Sequence, residues 1–218
     1  MTVMNRVLGW KMGKSKPWLV SMALAVAPLA GADELGAAQQ LTQRLEPVAS
    51  YVADFTQRIE GNGHVAQQST GHMWVARPGK FRWVVDAPYS QTVVSDGKDV
   101  YLYDPDLQQV TIRKLDPKVT NTPALLLSGQ ASELVHSYSV AEQSKGSKEM
   151  YSLTPKRADT LFNRLQMTFD NGRLSLLDMY DASGQHTQVA FNNVQLNAAI
   201  NASAFQFETP KGADVIRE

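Results

Sequence analysis

The four histidines, His64, His72, His136 and His186, are the side chains best suited to acid–base or metal work at neutral pH. They are scattered, and no two stand at metal-ligand spacing beside carboxylates. The chain has no cysteine, which removes thiolate nucleophiles, zinc–thiolate sites and disulfides at once. No G-x-S-x-G elbow presents a serine, and no glycine-rich turn leads from a strand into a helix as dinucleotide binding requires. Gly9 to Ser15, GWKMGKS, is one residue short of a phosphate-binding loop. The carboxylates of Asp96-Gly97, Asp104-Pro105 and Asp116-Pro117 have turn roles that account for them. The expectation is a protein that is not an enzyme, with no metal and no cofactor. An enzyme with its site scattered over strands stays open to a turnover assay on acyl esters.

The remaining chemistry is apolar, with one charge beside it. Gly71 to Val85, GHMWVARPGKFRWVV, reads as two strands joined at Pro78-Gly79, because proline presets φ at the second position of a tight turn and glycine supplies positive φ at the third. Phe81, Trp83 and Val85 fall on one face of the second strand; Met73 and Val75 share a face of the first, opposite Trp74. Arg77 stands just before the turn. Ordinary core packing explains such a hairpin as readily as a binding surface does.

These residues need a sheet to hold them. Short alternating runs follow one another, cut by Gly61-Asn62-Gly63, Asp96-Gly97, Asp104-Pro105, Asp116-Pro117, Asn171-Gly172 and Ser183-Gly184. Tight turns of this kind join antiparallel neighbours. The count is about eleven strands, the last around Phe205-Gln206-Phe207. One helix, from Asp33 as cap to about Glu46 with Leu35, Ala38, Leu41 and Leu45 as its apolar stripe, precedes them. NTPALLLSG, Asn121–Gly129, predicts a short apolar helix inside a loop: Asn121 or Thr122 can cap it, Pro123 suits its first position, and Leu125, Leu126 and Leu127 form its body. Ala131 to His136 continues as a second helical turn. A meander this wide curls into a barrel or half-barrel, and its interior must be filled by the helices or by a ligand.

Residues 1–32 predict a secretory signal: a basic region to Lys16, the apolar run from Trp18, and Ala30-Gly31-Ala32 before a cleavage at Asp33. The segment holds Arg6, Lys11, Lys14 and Lys16 and no acid, so removing those four of 21 basic residues leaves the chain acidic by four against its 21 acids. That balance argues against nucleic acid as a partner. Residues 33–218 are expected to form one domain.

An ordered set of motifs resembles the LolA family of periplasmic outer-membrane lipoprotein carriers: Phe55-Thr56-Gln57, the run from Gly71 to Trp83 with W-V-x-R-P and F-x-W, Val94-Ser95-Asp96-Gly97-Lys98, Tyr101-x-Tyr103-x-Pro105, and Asn121-Thr122-Pro123. The resemblance implies a mainly β fold, an incomplete, unclosed antiparallel β-barrel with an N-terminal helix and a short loop-helix lid over a concave apolar face. It further implies a monomeric periplasmic chaperone that takes lipoproteins by their acyl chains from an inner-membrane LolCDE-type ABC transporter and delivers them to an outer-membrane LolB-type receptor. A cysteine at the cleavage site would allow a lipid anchor; this chain has none, so it resembles the shuttle and not the anchored receptor, with no membrane anchor expected. In the resembled family Met73, Val75, Phe81, Trp83, Val85, Leu125, Leu126 and Leu127 would line or cover the cargo cavity, Arg77 would latch the lid, and Asn121 and Pro123 would begin it. A module for another amphiphile, such as a glycolipid, is the alternative on the same scaffold.

Overall fold

Two meanders make one sheet. The computed structural model describes residues 30–61, 64–116, 123–157, 160 and 162–218. The basic and apolar parts of the predicted signal segment, the tip of the Gly61 turn, Pro117, and the expected helix-start residues Asn121 and Thr122 therefore lie outside the described residues. The first meander comprises β1 (Ser50–Gly61), β2 (His64–Ala76), β3 (Lys80–Ala87), β4 (Gln91–Asp96), β5 (Asp99–Asp104) and β6 (Gln109–Lys114). The second comprises β7 (Tyr138–Lys145), β8 (Lys148–Pro155), β9 (Phe162–Asp170), β10 (Arg173–Asp181) and β11 (His186–Leu196). They join where β1 pairs antiparallel with β11, Phe55 opposite Phe191. A twelfth strand, β12 (Asp214–Arg217), adds to β6, giving the order β12-β6-β5-β4-β3-β2-β1-β11-β10-β9-β8-β7. The end strands β12 and β7 do not pair with each other, so the barrel is unclosed.

Twelve strands laid flat would span about 50 Å. Yet buried residues of β1–β5 and of β7–β11 belong to one apolar cluster with three helices. Only a curled sheet can bring them together. The helices lie in its hollow: α1 (Ala30–Leu45) against β7, α2 (Pro123–Ser128) against β2 and β3, and α3 (Ala131–Ser137) against α1 and β7. No described helix is long and apolar enough to cross a membrane.

Several details differ from the sequence expectations. The described part of helix α1 starts at Ala30, so Asp33 lies inside the helix and not at the N-cap position. Its buried stripe is Ala37, Leu41 and Leu45, spaced by four, whereas Leu35 is 69% exposed. At 3.6 residues per turn Leu35 lies about 120° around the axis from Leu41, outside the buried face. Phe205-Gln206-Phe207 is not a strand. Phe205 closes a 3-10 turn, Ala202–Phe205, and the true last strand is β12, which runs parallel to β6.

That C-terminal segment straps the convex side. Phe205 is buried, Phe207 stacks on Tyr101 at 5.4 Å between centroids, and Arg82 donates from Nη1 to the carbonyl of Ala204 at 3.3 Å. Beneath lie Val94 and Val110, fully buried yet outside the concave cluster. Strands β3 to β5 thus carry packing on both faces.

Candidate functional site

Glycine at one position lets two rings meet across a strand. Phe55 on β1 and Trp83 on β3 stack face to face, centroids 3.9 Å apart and planes 21° from parallel, with β2 between them. The residue of β2 opposite Phe55 is Gly71. A Cβ there would overlap the carbonyl oxygen of Val84 and lie 2.6 Å from Phe55 Cζ. The sequence shows Gly71 only as the start of the hairpin; the strand-spanning stack it permits is a tertiary fact.

The predicted hairpin residues share this floor. Met73, Val75, Phe81 and Trp83 are 0%, 1%, 0% and 6% exposed, and Val85 packs partly buried at the margin. Above them sits α2, every residue from Ala124 to Ser128 buried, with Leu125, Leu126 and Leu127 in the same cluster. A helix buried all round is held by its surroundings and not by its own six residues. Its first residue, Pro123, is half-buried. The part of the hollow above this floor is therefore occupied by the protein's own helix α2. The space left beside Arg77 is ≈ 20 Å³, bounded by Leu45, Tyr51, Val75, Leu127 and Leu174 among others. Met73, Met167 and Met179 contribute to the buried wall, while Met150 is only half-buried.

Polar contacts close the seam. The Arg77–Pro78 peptide is cis, and Gly79 turns with φ 74°. Arg77 donates from Nε to the carbonyl of Leu127 at 3.0 Å and from Nη1 to the carbonyl of Leu45. Both acceptors belong to the last turns of helices, where carbonyls lack intrahelical partners and a cation is favoured. Gly79 N–H donates to Ser128 O at 2.9 Å, so the turn after Arg77 also holds α2. Burial pushes the Arg77 pKa down from the ordinary arginine value. Arg77 is thus no solvated rim residue: its guanidinium bridges the C-terminal ends of α1 and α2.

A second polar contact was not visible in the sequence. Arg44, in the last turn of α1, forms a two-pronged ion pair with Glu149 on β8: Nε to Oε2 at 2.7 Å and Nη2 to Oε1. Tyr151 donates its hydroxyl to the same carboxylate at 3.3 Å. The Arg44 hydrogen bond holds Glu149 below the usual carboxylate range, and burial pushes Tyr151 up to about 12.

The histidines are placed elsewhere. His72 lies within 2.6 Å of Asp54 and 3.3 Å of Asp86, half exposed, and His186 lies 2.7 Å from Asp178 with Tyr180 stacked on its ring. Among the described residues no cluster of histidine, aspartate and glutamate has the form of a metal site.

Comparison with known proteins agrees with this architecture. The family described as "Outer membrane lipoprotein carrier protein LolA" matches residues 46–208. An outer-membrane lipoprotein carrier protein of Chromohalobacter salexigens is 52% identical over 203 residues, covering 92% of this chain and 97% of its own. Its counterpart in Pseudomonas fluorescens Pf0-1 is 45% identical over 205 residues, covering 92% and 99%. A solved structure of an uncharacterized conserved protein from Thermus thermophilus superposes with a TM-score of 0.51 at 14% identity, covering 83% of this chain and 99% of its own. The last comparison speaks to the fold alone. With a family match across most of its length and relatives this similar end to end, the chain belongs to the LolA family of outer-membrane lipoprotein carrier proteins.

Proposed function

We propose that this protein is a periplasmic lipoprotein carrier: it accepts lipoproteins from an inner-membrane LolCDE-type ABC transporter, shields their acyl chains in the hollow of the sheet, and delivers them to an outer-membrane LolB-type receptor. The observation that carries this reading is the lid. An apolar floor of Met73, Val75, Phe81 and Trp83 is covered by a separate apolar helix, and Arg77 fastens that cover through two carbonyls. Ordinary cores do not need a removable wall. Here Leu125, Leu126 and Leu127 fill the space that acyl chains would take, so cargo and lid exclude one another.

The energetics fit a shuttle. Each CH₂ kept from water is worth about 0.8 kcal/mol, so lipoprotein acyl chains sum to tens of kcal/mol and must be covered in transit. Moving them from one apolar site to another nearly cancels that term. Direction comes from the partners: ATP use at the transporter on loading and a more favourable apolar site at the receptor on delivery. The empty carrier assists release, because expelling cargo lets the lid re-form its own contacts.

Arg77→Leu tests this reading. Hydrogen bonds to a charged group are worth about 1.5–3 kcal/mol each, and the substitution removes two from the closed state. Losing even the smaller amount raises apparent cargo affinity by about tenfold, since less free energy is spent opening the lid. The expected result is a folded protein that accumulates bound lipoprotein and hands it to the receptor poorly. Hand-off at the unmodified rate would refute the latch.

A further inference from the structure

The three lid helices do not rest on the same part of the sheet. Helix α1 packs on β7 and α3, and its last turn is gripped by β8 through the two-pronged Arg44–Glu149 pair. A planar guanidinium on a carboxylate fixes orientation as well as distance. Helix α2 packs on β2 and β3 instead, and the Gly79 N–H holds its final carbonyl. Between α2 and α3 lie only Gly129 and Gln130. Across the gap between α1 and α2 the polar tie is Arg77, with one N–H on each. The small cavity beside Arg77 lies at this seam, walled by Leu45 from α1 and Leu127 from α2.

We propose that the lid is split along this seam: α1 and α3 stay with β7 and β8, α2 alone swings about Gly129-Gln130, and Arg44 and Glu149 are positioning residues that keep α1 in place while cargo passes. The proposal rests on the carrier reading above. It divides labour between the two arginines. Arg77 spans the parts that separate, so its hydrogen bonds must break on loading. Arg44 joins parts that remain together, so its ion pair persists in the loaded protein.

Because the chain has no cysteine, two can be introduced anywhere without competition. Spin labels at Gln43 and Lys148 report α1 against β8, and labels at Gln43 and Pro123 report α1 against α2; Gln43 and Lys148 are exposed and Pro123 is half-buried. Distances are measured by double electron–electron resonance, with and without a synthetic triacylated cysteinyl peptide. The expected result is an unchanged Gln43–Lys148 distance and a lengthened Gln43–Pro123 distance on loading. In Glu149→Ala the first distance should spread on loading, and the exchanged pair Arg44→Glu with Glu149→Arg should restore it, an effect that general loss of stability would not produce. If Glu149→Ala does not fold, the unmodified chain's two distances decide. A lengthened Gln43–Lys148 distance means that α1 leaves β8 and overturns the proposal, an unchanged Gln43–Pro123 distance beside it being the mark of one rigid lid; lipopeptide binding with neither distance changed overturns it as well. Failure of the lipopeptide to bind would overturn the carrier reading itself, and this inference with it.

Discussion

Gly71→Ala is expected to remove a large part of the stability of this protein, although it adds a single methyl group. The new Cβ would coincide with the carbonyl oxygen of Val84, a backbone atom of the neighbouring strand, and would lie within 3 Å of two atoms of the Phe55 ring. A flexible side chain could move aside, but a sheet carbonyl cannot do so without parting β2 from β3. The register between these strands also shifts between Thr70 and Gly71, where Asp86 of β3 is the extra residue, so the two backbones already approach irregularly here. Separation there also breaks the Phe55–Trp83 stack. A loss of about 4–5 kcal/mol belongs to this class of defect and is a large share of a total of about 5–15 kcal/mol. Denaturant midpoints on the purified proteins measure it. Combining Gly71→Ala with Phe55→Ala separates the causes: the ring is then gone but the carbonyl remains, so no rescue is expected. A midpoint near that of the unmodified chain would show that the strands yield more easily than the packing implies.

Phe81→Glu should be comparably severe. From the sequence, Phe81 is one of several aromatics on an apolar hairpin that could face cargo. In the structure it is 0% exposed, on the strand against which α2 packs. Truncating a buried phenylalanine costs about 3–5 kcal/mol, and burying a carboxylate with no partner adds several more or forces it to take up a proton. The expected outcome is loss of folded protein, read as proteolysis and failure to accumulate. Phe81→Leu keeps the apolar character and should fold, so its cargo transfer can be measured. A stable, monodisperse Phe81→Glu protein would mean that the hairpin lies open in solution.

The hairpins were legible because their turns carry their own chemistry. Gly97 and Gly172 have φ of 96° and 74°, and Asn171 joins them with φ 49°. These are conformations that glycine and asparagine accept and most residues resist, so Asp96-Gly97 and Asn171-Gly172 announce strand reversals locally. The short lid helix was legible for the same reason, with Pro123 at its start and Gly129 N–H closing it on Leu125 O at 3.2 Å. What could not be read is remote. Nothing near Arg44 points to Glu149, nor near Phe55 to Trp83, because both contacts depend on how the sheet curls. Strand β12 escaped detection since its four residues, all exposed, show no alternation and their partner is a strand about a hundred residues earlier. Leu35 misled because an apolar residue at roughly helical spacing can still fall outside the buried arc. The sequence also left open whether helices or a ligand fill the interior; in the structure apolar residues of α1, α2 and α3 join the cluster inside the sheet.

The attachment of α1 to β7 and β8 has a bearing on how the molecule assembles. Arg44 and Glu149 are 105 positions apart, whereas the strands between them join sequence neighbours. Local reversals form early and distant partners meet late. Helix α1, the first of the described helices in chain order, is therefore expected to dock among the last, over a trough already built. Pulse-labelled hydrogen exchange during refolding should find the amides of 37–45 protected after those of β3 to β5. For a brief interval during folding, the chain would hold its greasiest surface bare to its surroundings.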